Sequence, residues 1–140
     1  MNAKALLSPE QLQAKIPEIF APWIIAMDLR VVEVLPGEVL LSMPVKREYV
    51  HVGGVMCGQA AMAAADTAMV LAMTAELGEF KPMTTVQLQT SFLRPISGEQ
   101  MLVRAKVLRR GKSLAFGSID ITGIDGKLAV QATTTYALLG

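Results

Sequence analysis

The chain has 140 residues, 13 of them basic and 12 acidic, for a formal net charge of +1. One domain is the natural count at this length, and so even a balance argues against nucleic-acid binding, which draws on a strong basic excess. Hydrophobic residues make up 52% and charged residues 18%, more apolar surface than a monomer of this size hides, so part of it is expected to lie against another copy of the chain.

Taken from the N-terminus, Met1 to Ser8 shows no long apolar run behind a basic start, which argues against a secretory signal. Residues 1–25 form an N-terminal helical segment leading into a single domain over 1–140. Ser8-Pro9-Glu10-Gln11 combines a capping serine, a proline at the first helical position and a glutamine placed for a capping box. Pro17 and Pro22 predict that this helix is short. A strand is expected from about Met27 to Leu35, turned by Pro36-Gly37 and returning over Val39 to Met43 as a hairpin. Residues 45–57 are irregular. From Gly58 an Ala- and Met-rich helix follows, with Gly78 as its stop. The remainder reads as a four-strand meander: Thr85 to Phe92, Met101 to Leu108, Leu114 to Thr122 and Leu128 to Ala137. Arg110-Gly111-Lys112 and Asp125-Gly126 mark the last two turns.

The sole cysteine, Cys57, cannot form an internal disulfide and suits a reducing compartment, so a cytoplasmic location is expected. No clustered Cys, His and carboxylate set has metal-ligand spacing. Neither the P-loop nor the dinucleotide glycine pattern is present.

From Val55 to Ala75 the chain is almost wholly apolar, yet Asp66 sits in the middle. A membrane span would leave that acid without a basic partner in the helix. The alternative is a helix buried nearly all round, whose alanines let a curved sheet approach closely. Asp66 then serves either as a hydrogen-bonding group at an interface or as a general base or nucleophile in a partly dry cleft. The helix start near Gly58 offers free backbone N–H groups and partial positive charge, suited to polarising a carbonyl. Gly58 and Asp66 lie eight residues apart, roughly 12 Å along a helix. One helix therefore cannot bring both to one carbonyl carbon, and a shared site needs two antiparallel helices from two subunits.

Three segments carry a family resemblance: Gly58-Gln59-Ala60-Ala61-Met62-Ala63-Ala64-Ala65-Asp66-Thr67-Ala68-Met69, Ser91-Phe92-Leu93-Arg94-Pro95, and Leu108-Arg109-Arg110-Gly111-Lys112. Gly126-Lys127-Leu128 and the ending Thr135-Tyr136 add to them. In order and spacing the chain resembles the hotdog-fold acyl-CoA thioesterases of the phenylacetate-pathway (PaaI-like) type, from about Met27 to Leu138. The resemblance implies an α+β hotdog fold, an antiparallel sheet wrapped around a long central helix. It implies hydrolysis of an acyl-CoA thioester without a cofactor or metal, by a homodimer or a dimer of dimers, with no nucleic-acid or membrane partner. The helix acid falls on Asp66, the carbonyl-polarising N–H on Gly58, and the polar side chain of the preceding loop on His51. A hydroxyl on the strand after the helix, near the acid of the facing subunit, falls on Thr85 or its neighbour Thr84. Gln59, Arg94, Arg109, Arg110 and Lys112 join the substrate-binding set. The family's common His-Gly-Gly reads Cys57-Gly58-Gln59 here.

Alternatives remain open at this level. His51 is a catalytic base, a donor to a carbonyl or a surface loop residue. Cys57 with His51 forms a nucleophile–base pair, or Cys57 is simply buried. Arg109, Arg110 and Lys112 form a solvated hairpin or a grip on coenzyme A phosphates. Phe20, Trp23, Ile24 and Ile25 are core or a lid. Besides hydrolysis, the fold would serve a non-catalytic acyl-CoA binding module or an acyl-thioester hydratase or dehydratase.

Overall fold

The computed structural model describes residues 5–140; residues 1–4, half of the Met1 to Ser8 stretch in which no secretory signal is expected, lie outside that range. Helix α1 spans Pro9–Ile19, and its capping box forms as expected, with Ser8 and Gln11 exchanging side-chain-to-backbone bonds of 3.0 and 2.8 Å. It does not stop at Pro17. That proline sits in the last turn, where it removes one backbone bond, while Leu12 and Ile16 hold the helix against the core at 0% and 5% exposure. Pro22 instead opens a second short helix, α2 (Pro22–Ile25).

Strands β1 (Arg30–Leu35) and β2 (Glu38–Pro44) form the hairpin, with Gly37 at φ 65° in its turn. β1 starts later than the sequence pattern suggests, because Asp28 takes a left-handed conformation (φ 59°) just before it. A 3₁₀ turn, Arg47–Tyr49, leads to α3 (Gly58–Leu77), which ends at Gly78 with φ 79° and a 2.9 Å bond to the Thr74 carbonyl. By length and composition α3 would span a membrane, but 72% of the stretch is buried inside the protein. Strands β3 (Met83–Phe92), β4 (Gln100–Arg110), β5 (Leu114–Gly123) and β6 (Leu128–Leu138) follow.

All six strands form one antiparallel sheet in the order β1-β2-β4-β5-β6-β3. The expected four-strand meander is therefore only β4-β5-β6. β3 lies at the far edge beside β6, and the 93–99 connection crosses the sheet to reach β2's neighbour. That crossing passes the start of α3, where the Met56 N–H bonds the Ile96 carbonyl at 3.0 Å and the Val45 N–H bonds that of Glu99 at 2.8 Å. This is the hotdog fold, with α3 on the concave face of the sheet.

Alternate residues of β2, β4, β5 and β6 point inward, among them Leu41, Met43, Val103, Ile119 and Ala132, all at or near zero exposure. The alanines of α3 face them, and Gly117 marks the closest approach. A Cβ there would stand 2.4 Å from Met69 Sδ and 2.9 Å from the Lys106 carbonyl. The helix is not buried all round, however. Gln59, Met62, Ala63, Asp66 and Val70 remain half or fully exposed, and their three- and four-residue spacing makes them a single stripe.

Candidate active site

Asp66 stands in that stripe and lines a cavity of about 350 Å³ with Phe20, Trp23, Val70, Thr85 and Tyr136 among its walls. The strand register supplies its partners. Thr85 of β3 pairs directly with Tyr136 of β6, so both side chains point to the same face of the sheet. The Thr85 hydroxyl donates to Asp66 Oδ1 at 2.9 Å, and the Tyr136 hydroxyl donates to the same oxygen through a short bond. Tyr136 also lies 3.0 Å from the Asp66 backbone carbonyl. Burial, and then the carboxylate beside it, pushes the Tyr136 phenol well above its ordinary range. It stays protonated and donates to Asp66.

The resemblance places the strand hydroxyl near the acid of the facing subunit; here Thr85 bonds the acid of its own chain. Thr84 borders the same cavity, but its position opposite Ala137 turns it to the other face of the sheet. Tyr136 is not among the site residues expected from the sequence. Its signal was present in the alternation Val130, Ala132, Thr134, Tyr136, which faces the tyrosine inward, where a buried phenol needs an acceptor.

A second cleft, about 480 Å³, lies at the other end of the α3 stripe and is lined by His51, Gly58, Phe92, Arg94 and Pro95 among others. Cys57 is the N-cap and makes no side-chain capping bond. The Gly58 N–H has no acceptor within the helix by position. A tight turn, closed by His51 N–H to the Val55 carbonyl at 3.1 Å, holds His51 at the same cleft. The Gly53 N–H donates to His51 Nδ1 at 2.9 Å. An accepting Nδ1 leaves the neutral ring's proton on Nε2, as a donor. Cys57 does not line this cleft, so the Cys57–His51 nucleophile pair finds no support. Gln59 is exposed and does not line it either.

The basic residues separate. Arg94 borders the Gly58 cleft and a smaller adjoining one that also contains Lys127. Arg110 lies at the opposite end of α3, 3.8 Å from Glu76, and it lines a cavity with Lys81 and Lys112. Arg109 sits across from Phe116 on the outer face of the sheet. Among the described residues, no group of three or more His, Cys, Asp and Glu could hold a metal ion.

A helix acid held by strand hydroxyls and a free helix N-terminus in a neighbouring cleft fit acyl transfer to water. Residues 53–130 match the family model described as Thioesterase superfamily. Human acyl-coenzyme A thioesterase 13 is 31% identical over 113 residues, covering 79% of each chain. Among solved structures, a thioesterase of Haemophilus influenzae superposes with a TM-score of 0.84 at 22% identity, covering 98% of this chain and 94% of its own. The phenylacetic acid degradation protein PaaI of Thermus thermophilus, in a mutant form, gives 0.75 at 23% identity, covering 85% and 100%. The chain belongs to the thioesterase superfamily, with the hotdog fold and the thioester-hydrolase class that go with it.

Proposed function

We propose that the chain hydrolyses acyl-CoA thioesters at sites built across a homodimer, each pairing Asp66 of one subunit with Gly58 of the other. The observation that carries this is the separation of two incomplete halves along one helix. Asp66 and its hydroxyl donors line one cavity, and Gly58 and His51 line another, roughly 12 Å away along α3. Two α3 helices packed antiparallel along the half-exposed stripe would bring each Asp66 to the other chain's Gly58. The edge strand β3, with Val86 60% and Phe92 54% exposed, would lie along the same junction.

In that site the Gly58 N–H, aided by His51 Nε2–H, polarises the thioester carbonyl. Asp66 either takes a proton from water as the water adds, or adds to the carbonyl itself before water releases the acid. The thiolate of coenzyme A leaves, and the products are a carboxylic acid and a thiol. The relatives' names support acyl-CoA as substrate. Arg94, bordering the Gly58 cleft, is better placed to grip its phosphates than Arg110 and Lys112.

The test is a thiol-release assay over an acyl-CoA panel with wild type and Asp66→Ala. Unchanged turnover in the variant would refute the mechanism, and tight binding without turnover in wild type would favour a binding module. Mixed Asp66→Ala and Gly58→Val subunits should recover part of the activity after exchange. No recovery despite proven exchange counts against the shared site.

A further inference from the structure

The two hydroxyls at Asp66 divide the work between its carboxylate oxygens. Thr85 and Tyr136 both donate to Oδ1, while Oδ2 accepts no hydrogen bond from any described residue and belongs to a side chain lining the cavity. A carboxylate torsion is broad and roughly two-fold, so an unheld Asp66 would offer either oxygen at varied angles. Thr85 sits on an edge strand and is exposed; Tyr136 sits one strand further in and is 2% exposed. Its ring is locked between sheet and helix, which makes it the stiffer of the two anchors. It cannot serve as a base, because burial and the adjacent carboxylate keep the phenol protonated.

We propose that Tyr136 is a positioning residue for the acid: with Thr85 it occupies Oδ1 and so presents Oδ2 as the single reacting oxygen. The proposal rests on Asp66 being the working acid, as proposed above, and adds which atom works and what aims it.

Tyr136→Phe keeps the ring and the core volume and removes only the donor. One hydrogen bond to a charged group is lost, so kcat should fall about 10- to 100-fold. KM should stay within about two-fold, since the hydroxyl is engaged with Asp66 and a positioning role acts on turnover rather than on binding. A merely structural role would lower the melting temperature and leave kcat alone. Removing Thr85 as well, in Thr85→Ala/Tyr136→Phe, should cost more than either change singly. A kcat within about two-fold of wild type in Tyr136→Phe, while Asp66→Asn abolishes turnover, overturns this inference and leaves the proposed function standing. Full turnover in Asp66→Asn overturns both. Should Tyr136→Phe fail to fold, proton NMR of the otherwise native protein decides. A slowly exchanging hydroxyl proton assigned to Tyr136 should be present in wild type and lost in Asp66→Ala, and its absence from wild type refutes the contact.

Discussion

Replacing Gly58 by alanine separates the chemistry of the helix start from its stability. A Cβ built on Gly58 lies 3.0 Å from Cζ and 3.1 Å from Cε1 of Phe92. Both are the far end of a ring that is 54% exposed on an edge strand, so a swing of a few tenths of an ångström relieves the contact. Alanine also raises helix propensity by at most about 0.5–1 kcal/mol over glycine. The two effects oppose each other, so stability should change by less than about 1 kcal/mol, a shift of a few degrees in Tm for a chain of this length. The new methyl group, however, points toward Phe92 and therefore into the cleft where a carbonyl would approach the N–H. If that N–H is the oxyanion donor, blocking access to it should cost about 100-fold in kcat/KM, the loss seen when one such donor is removed. The assays are thermal unfolding and thiol release measured on the same preparation. A stable Gly58→Ala protein with kcat/KM within about three-fold of wild type would refute the assignment of this helix start to the carbonyl.

Gly117→Ala should behave in the opposite way, losing stability, because its Cβ meets the Lys106 backbone carbonyl at 2.9 Å as well as buried Met69. Backbone cannot give as a ring edge does, and overpacking of this kind costs about 1–3 kcal/mol, read by urea or thermal unfolding. Stability should also fall at alkaline pH. The Tyr136 phenol is raised in the folded protein, so its contribution is fully present below the unfolded value of about 10 and is lost as the pH climbs toward the folded one. In native protein the tyrosinate absorbance should come from Tyr49 alone, the second tyrosine ionising only with loss of the folded signal. Arg94→Ala should raise KM for acyl-CoA by roughly 10-fold, the worth of one charge-assisted phosphate contact, and leave a truncated pantetheine thioester unaffected. Arg110→Ala, whose side chain sits by Glu76, should leave both unchanged, and the reverse ranking would move the phosphate grip to the other end of α3.

Local features of the fold are legible in the sequence because they depend on near neighbours. The Ser8–Gln11 capping box, the Ala-rich helix stopped at Gly78 and the hairpin turned at Gly37 all form as their residues dictate. The order of the strands is not legible in this way. Consecutive strands usually pair, and nothing within β3 itself says that it belongs beside β6. The bulge between Thr85 and Gln87 conceals more. It places Thr85 and Leu88, three residues apart, opposite the inward-facing Tyr136 and Thr134, which breaks the period of two that an alternation argument needs. The sequence therefore points to Asp66 and, through the resemblance, to Thr85, and its alternation turns Tyr136 inward, while the pairing of that tyrosine with Thr85 emerges only from the register. His51 is a similar case. The resemblance assigns it to the loop before the helix, and only the fold shows that it lines one cleft with the helix start at Gly58.

The apolar composition also takes on a definite location. Part of the exposed apolar surface gathers along α3 and β3, while Val32, Leu108, Phe116 and Ile124 are exposed elsewhere. The half-exposed stripe of α3 carries Met62, Ala63 and Val70 around Asp66, and the adjoining edge strand exposes Val86 and Phe92. An acid placed in the middle of an otherwise apolar junction costs stability there unless it is hydrogen-bonded, and two hydroxyls from the same chain meet that need on Oδ1. Only Oδ2 is left unanchored. A test of the junction by an introduced charge follows from this. Met62→Lys, at the centre of the stripe and outside both cavities, would bring two like charges together at a two-fold contact. It should dissociate the protein and abolish turnover together, as read by light scattering and thiol release. Dissociation with turnover intact would mean that one chain suffices and that no site is shared between Asp66 and another chain's Gly58.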